Sequence, residues 1–215
     1  EAIRDAMLMV SGLLDTTRPS GSPVGQLEGP IRGRQLQRTL EQNTSSIENN
    51  RSVYLPVIRG ELPDSLEVFD FPDPNFAVGK RDSTNVATQA LYLMNDETVI
   101  KLADKFAERI LIEDQRTEDR IRNAFMHAFG RIPTTNEFLA CRKFLRDFPK
   151  AVASDAKSSG RTISASQPRG RDRSRNRRRS RDRFENSPPQ INSELLAWSG
   201  LCQTLLQSAE FRTRE

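Results

Sequence analysis

Apolar residues recurring at steps of three and four dominate the second half of this chain. Val99, Leu102, Ala103, Phe106, Ala107, Ile110 and Leu111 fall on one helical face, and Ile121, Ala124, Phe125, Ala128 and Phe129 on another. Phe138, Leu139, Cys141, Leu145 and Phe148 repeat the period, and Leu195, Leu196, Trp198, Leu201, Cys202, Leu205, Leu206 and Ala209 close it. Stripes of this period do not suit a sheet, because strand neighbours alternate faces at every residue. They must be buried against each other, so the expected fold is mainly α, a helical bundle. The punctuation agrees. Asn95 is placed to cap the first helix, and Glu118 and Asp119 sit beside the positive end of a second that begins near Thr117. Gly130 fits a left-handed stop, and Thr134 with Glu137 has the spacing of a capping box that opens the third. The second and third helices are expected as an antiparallel hairpin. An earlier stripe, Ile3, Ala6, Met7, Val10, Leu13 and Leu14, marks residues 1–15 as the end of a preceding helical region.

Two stretches break the helical period. Residues 16–50 are rich in Gly, Pro, Ser, Asn and Gln and read as a loop. Arg51 to Leu55 suits a short strand ending at Pro56, after which Pro63, Pro72 and Pro74 forbid a long helix until Asn85. Residues 51–90 are therefore expected to form an irregular Pro-rich cap on one helical domain made of 51–150 and 190–215. The second interruption, 151–189, is an Arg/Ser-rich insert with almost nothing to bury, expected to be disordered. From Arg161 to Arg183 it holds ten arginines and two aspartates, a charge of +8, so the rest of the chain carries 4 − 8 = −4. The basic balance belongs to the insert, and the remainder gives no electrostatic reason to bind nucleic acid.

Chemistry is most concentrated between Arg51 and Asn95. Asp70, Asp73 and Asp82 are flanked by Asn75, Arg81 and Gln89, and Pro72 and Pro74 stiffen the acidic turn. The plainer expectation is structural: Asp70 or Asp73 pairs with Arg81, while Gln89 bonds backbone groups of the turn. The alternative is general acid and base work by two carboxylates facing each other across a substrate. A calcium loop is not indicated, since the alternating acids, turn glycine and terminal glutamate are missing. In the insert, Arg171, Arg173, Arg175, Arg177, Arg178, Arg179, Arg181 and Arg183 would contact a polyanion if the run does more than tether. No aromatic RNA module accompanies them, so a solvated linker is preferred over a nucleic-acid contact.

Several classes of chemistry have no motif here. His127 is the one histidine, and Cys141 and Cys202 lie on apolar helix faces, which supplies no zinc set and leaves open whether the thiols pair. There is no Cys-x-x-Cys-His, Gly-x-Ser-x-Gly or phosphate-binding glycine loop. The expectation is no metal and no cofactor in this chain. No apolar run reaches the roughly 18 residues of a membrane span. The start at Glu1, without Met, suggests a piece of a longer protein.

A series of blocks resembles planctomycete-specific domain one, the C-terminal domain of unknown function in planctomycete multidomain proteins that carry a cytochrome c-like domain. The blocks are Tyr54-Leu55-Pro56, Leu62-Pro63 with Leu66, Phe69-Asp70-Phe71-Pro72-Asp73, Arg81 with Ser83 and Thr84, and Thr88-Gln89-Ala90-Leu91 with Leu93 and Asn95. They continue in Phe129 to Thr134, Glu137, Leu205-Leu206, Ser208, Glu210 and Phe211. The resemblance implies an extracytoplasmic address, periplasmic or secreted, with haem carried upstream if at all. It implies the upstream domains of the same polypeptide as partners and acidic polysaccharide as an available polyanion. It names no reaction, and whether the chain is an enzyme stays open. Two roles follow as expectations: an accessory scaffold or substrate-presenting domain, or part of an active site for polysaccharide breakdown or redox chemistry that upstream domains complete.

Overall fold

The computed structural model of the chain describes residues 1–21, 48–57, 62–80, 84, 86–159 and 193–213, the side chains of 152–159 excepted. The described residues are mainly helical with no strand; Asp15 and Asn50 make one isolated bridge. The expected mainly α architecture is therefore what the chain adopts. Helix α1 spans Ala2–Ser11, a short α2 Asp64–Glu67, α3 Ala87–Asn95, α4 Glu97–Glu113 and α5 Thr117–Phe129. They are followed by α6 at Thr135–Ser159, α7 at Ser193–Gln207 and α8 at Ala209–Arg212.

Helix α4 is the hub, packed against α1, α3, α5 and α7. Its stripe explains why: Val99, Phe106, Ala107 and Ile110 are wholly buried, with Leu102 and Ala103 nearly so. Burying each large side chain contributes about 1.5 to 3 kcal/mol, enough to offset much of the cost of ordering the helix. Ile121, Ala124, Phe125 and Ala128 of α5 and Trp198, Leu201, Cys202 and Leu206 of α7 complete one core. Met7, Leu8 and Val10 share it, so residues 1–15, expected as the tail of a preceding region, pack into the same body. Cys141 and Cys202 are both buried free thiols, not a disulfide.

Helix ends are finished by side chains from elsewhere in the body. At the end of α3, Leu91 O and Tyr92 O are served locally by Asn95 Nδ2 and the Asp96 N–H, while Leu93 O and Met94 O accept from Gln207 and Gln203 of α7. Arg109 of α4 donates to Met9 O and Val10 O at the end of α1, over Gly12, which turns left-handed at φ 77°. Arg120 of α5 donates to Leu111 O and Asp114 O at the end of α4 and reaches Glu194 in the first turn of α7 at 2.7 Å. The bonds to carbonyls satisfy acceptors that a helix leaves open, and those from Arg109 and Arg120 also place positive charge at the negative end of a helix dipole.

The caps read from sequence hold at Gly130, left-handed at φ 65°, and at Thr134–Glu137, where the Glu137 carboxylate accepts from both the Thr134 N–H and hydroxyl. Three expectations need correcting. Asn95 does not cap α4 but ends α3; Asp96 is the cap, its Oδ1 accepting from Thr98 N at 2.9 Å and Val99 N at 3.2 Å. Residues 51–90 are not irregular to their end, since α3 already begins at Ala87. The strand expected over Arg51 to Leu55 is a 3-10 turn, Ser52–Tyr54. Its physical reason is the grip of α1: the Asp5 carboxylate accepts from Ser52 N and Oγ at 2.7 and 2.6 Å, while Arg4 donates to Asn50 O and Ser52 Oγ. Side-chain acceptors thus take the donors a sheet partner would need. Helix α6 continues through Ser159, past Pro149; the remainder of the arginine-rich stretch, including Arg171 to Arg183, lies outside the described residues.

Candidate functional site

The Pro-rich segment enters on Pro63, whose fixed φ suits the turn before α2, and buries Leu66 to 1% exposure. Phe69 then stacks edge-on against Tyr92 of α3, ring centres 5.8 Å apart. Asp70 follows with φ 57°, a left-handed conformation that a short polar side chain tolerates better than most. That turn aims its carboxylate at Thr84: the Thr84 N–H donates to Oδ2 at 2.7 Å, and the Thr84 hydroxyl lies 2.9 Å from each oxygen. Buried Gln89, at the start of α3, donates from Nε2 to the same hydroxyl at 3.4 Å. Of the polar residues singled out in the sequence, Asp70 and Gln89 are thus brought together, through Thr84.

Asp73 does something else. Its Oδ1 accepts from Asn75 N at 2.8 Å and Asn75 Nδ2 at 2.7 Å, a local turn on the exposed surface. Arg81, the expected partner of Asp70 or Asp73, lies outside the described residues, as does Asp82. The described bond of Gln89 goes to a side-chain hydroxyl, where backbone partners were expected. Among the described residues no group of three or more His, Cys, Asp or Glu side chains is placed to hold a metal ion, and no helix is long and apolar enough to cross a membrane.

Beside this elbow, α1, the first half of α4 and the segment around α2 enclose an open cleft of about 690 Å³. Met7, Leu8 and Leu102 give it apolar surface, and Tyr92, Asp64 and Asp96 give it polar surface. Burial, with the Asp96 and Asp64 carboxylates close by, pushes the Tyr92 phenol well above its ordinary range, so it stays protonated. Sequence reasoning did not assemble this cleft.

It also passed over a clamp that ties the link between α5 and α6 to α8. Arg131, in the link between α5 and α6, donates to both oxygens of Glu137 at 2.8 and 2.9 Å and to both of Glu210 at 2.7 Å. Its guanidinium also lies over the rings of Phe125 and Phe129, 5.6 and 5.5 Å from their centres. The hydrogen bonds from Arg131, helped by those from Thr134 and opposed by burial, lower the Glu137 carboxyl to about 2. The Arg131 charge is held correspondingly firmly. The signal was present in part: Arg131, Glu137 and Glu210 all stand in the blocks quoted above, but 79 residues separate Arg131 from Glu210.

Fold and site together define a helical domain with a Pro-rich, acidic elbow against its third helix. The chain belongs to the PSD1 family, proteins of unknown function (DUF1553), whose model matches residues 1–145, about two thirds of the chain. The match takes in Asp70, Asp73, Arg81, Gln89, Arg131 and Glu137 and stops before Glu210. No curated protein and no solved structure matches the chain.

Proposed function

We propose that the chain is an accessory domain of a longer, extracytoplasmic, cytochrome c-associated polypeptide, docking on the upstream domains and presenting substrate to them. The observation that carries this reading is the use made of Asp70. Its carboxylate accepts the backbone N–H and the hydroxyl of Thr84, which closes the Pro-rich elbow onto Gln89 and α3. A carboxylate committed to main chain in this way organises a loop rather than exchanging protons with a substrate. The arginine run Arg171 to Arg183 adds a tether in this reading, or a contact for acidic polysaccharide.

The test separates holding from reacting. In the full-length polypeptide, Asp70→Asn keeps an acceptor for the Thr84 N–H while removing the charge, so the accessory reading expects a small fall in melting temperature and retained turnover. Asp70→Ala, which removes the acceptor as well, should loosen the elbow. Turnover abolished by Asp70→Asn at an unchanged melting temperature would favour the competing reading, in which this region completes an active site for polysaccharide breakdown or redox chemistry.

A further inference from the structure

The cleft beside the elbow has a lining that selects a ligand. Its floor, Met7, Leu8 and Leu102, is apolar, Leu55 and Leu62 add apolar wall, and its volume of about 690 Å³ is that of a small-molecule site. Among the described residues its ionic lining is balanced in number, with Arg4, Lys101 and Lys105 against Glu48, Asp64 and Asp96. In effect it is not balanced. Lys101 sits 3.0 Å from Glu97 and Lys105 2.7 Å from Glu108, carboxylates outside the lining. Arg4 lies 3.6 Å from the Asp5 carboxylate, also outside the lining, and spends its donors on the carbonyls of Glu48 and Asn50 and on Ser52 Oγ. Among the described residues none of Glu48, Asp64 and Asp96 has an ion pair within 4 Å; Arg4 and Lys101 reach Glu48, and Lys101 reaches Asp96, only as longer-range charges, and Asp96, which caps α4 through Oδ1, still lines the cleft with its carboxylate. What the cleft offers a ligand is therefore negative charge beside an apolar floor. Tyr92 joins the two, a protonated phenol next to Asp96 whose ring extends the apolar surface.

The geometry points to a binding site for a primary ammonium carried on an apolar body. The body lies on Leu8 and Leu102, and the ammonium donates to Asp64 and to the Tyr92 oxygen at the mouth. A ligand headed by a carboxylate meets repulsion there, and a neutral alcohol of the same length forfeits the charge-assisted bonds. This site goes beyond the accessory reading and does not rest on it, since a docking domain and a catalytic one would use it equally.

Hexylammonium, hexanol and hexanoate titrated into the whole chain by calorimetry form the test. Hexylammonium should bind saturably, hexanol about tenfold more weakly and hexanoate not at all. Added salt should weaken the first and leave the second unchanged. Asp64→Asn, at an exposed position outside the core, should bring hexylammonium down to the level of hexanol without moving the melting temperature. An acetylated leucyl-lysine amide that competes with hexylammonium identifies the ammonium as a lysine side chain of a polypeptide; failure to compete identifies a free amine. Equal binding of all three probes, no binding of hexylammonium, or an undiminished preference in Asp64→Asn overturns the proposal. None of these results bears on the Asp70→Asn outcome, so the two readings fail separately.

Discussion

The helical body and the Pro-rich elbow spend their polar side chains in opposite ways. In the body, long side chains reach between elements distant in sequence: Arg109 to the end of α1, Gln203 and Gln207 to the end of α3, Arg120 from α5 to both α4 and α7, Arg131 to Glu210. In the elbow the bonds are short-range, Asp73 to Asn75 and Asp70 to Thr84. Bonds of the first kind make one helix's ending depend on another's position, so the body should unfold as a unit. Bonds of the second kind order their own backbone and couple to the body chiefly through Leu66, Phe69 and Gln89. The elbow is thus free to open while the core stays intact.

The largest expected effect tests the body. Phe106→Ala empties a wholly buried site at the hub and should cost about 3 to 5 kcal/mol in urea unfolding, with helical and Trp198 signals lost in one transition. Separate transitions for the two probes would break the claim of a single unit. Next comes the Arg131 clamp. The Glu137 carboxyl is at about 2 in the folded chain against 4.5 when unperturbed, so its stabilisation is fully present above pH 4.5 and disappears as pH falls through about 2. Arg131→Ala should lower the melting temperature at neutral pH and flatten this acid dependence, read from melts across that window. Asp96→Ala removes the cap of α4 and should cost about 1 kcal/mol by urea midpoint, again without splitting the transition. Asp70→Ala sharpens the contrast, since its effect of about 1 kcal/mol should speed proteolytic cleavage near residues 70–84 while hardly moving the midpoint of the body. Asp73→Ala, at an exposed local turn, should change stability by less than about 0.5 kcal/mol.

Sequence showed the body more clearly than the elbow for a physical reason. The stripe of α4, the Gly130 stop and the Thr134–Glu137 box are all settled within a few residues, and each is where its spacing placed it. The one-residue error at Asn95 came from two adjacent residues of equal capping ability; Asp96 is the one whose carboxylate meets Thr98 N and Val99 N. The 3-10 turn at Ser52 depends on Asp5, 47 residues away, and the Arg109 contact with Val10 spans 99. No local pattern announces either. Asp70 and Gln89 were legible as candidates because acids, prolines and an amide crowd together there, but Thr84, the residue that joins them, stood only in a block of the family resemblance, with no charge or capping pattern to give it a role. The cleft was hidden because its walls come from four separate stretches of chain.

Native-state hydrogen exchange, comparing the wild-type chain with Asp70→Ala, reads the difference between the two regions most directly. The Thr84 amide, bonded to Asp70 Oδ2, should be protected in the wild type and exchange freely in the variant, while amides from Leu102 to Ile110 keep their full protection in both. Protection lost together at Thr84 and along α4 would mean that the elbow and the body are one cooperative structure, contrary to this account.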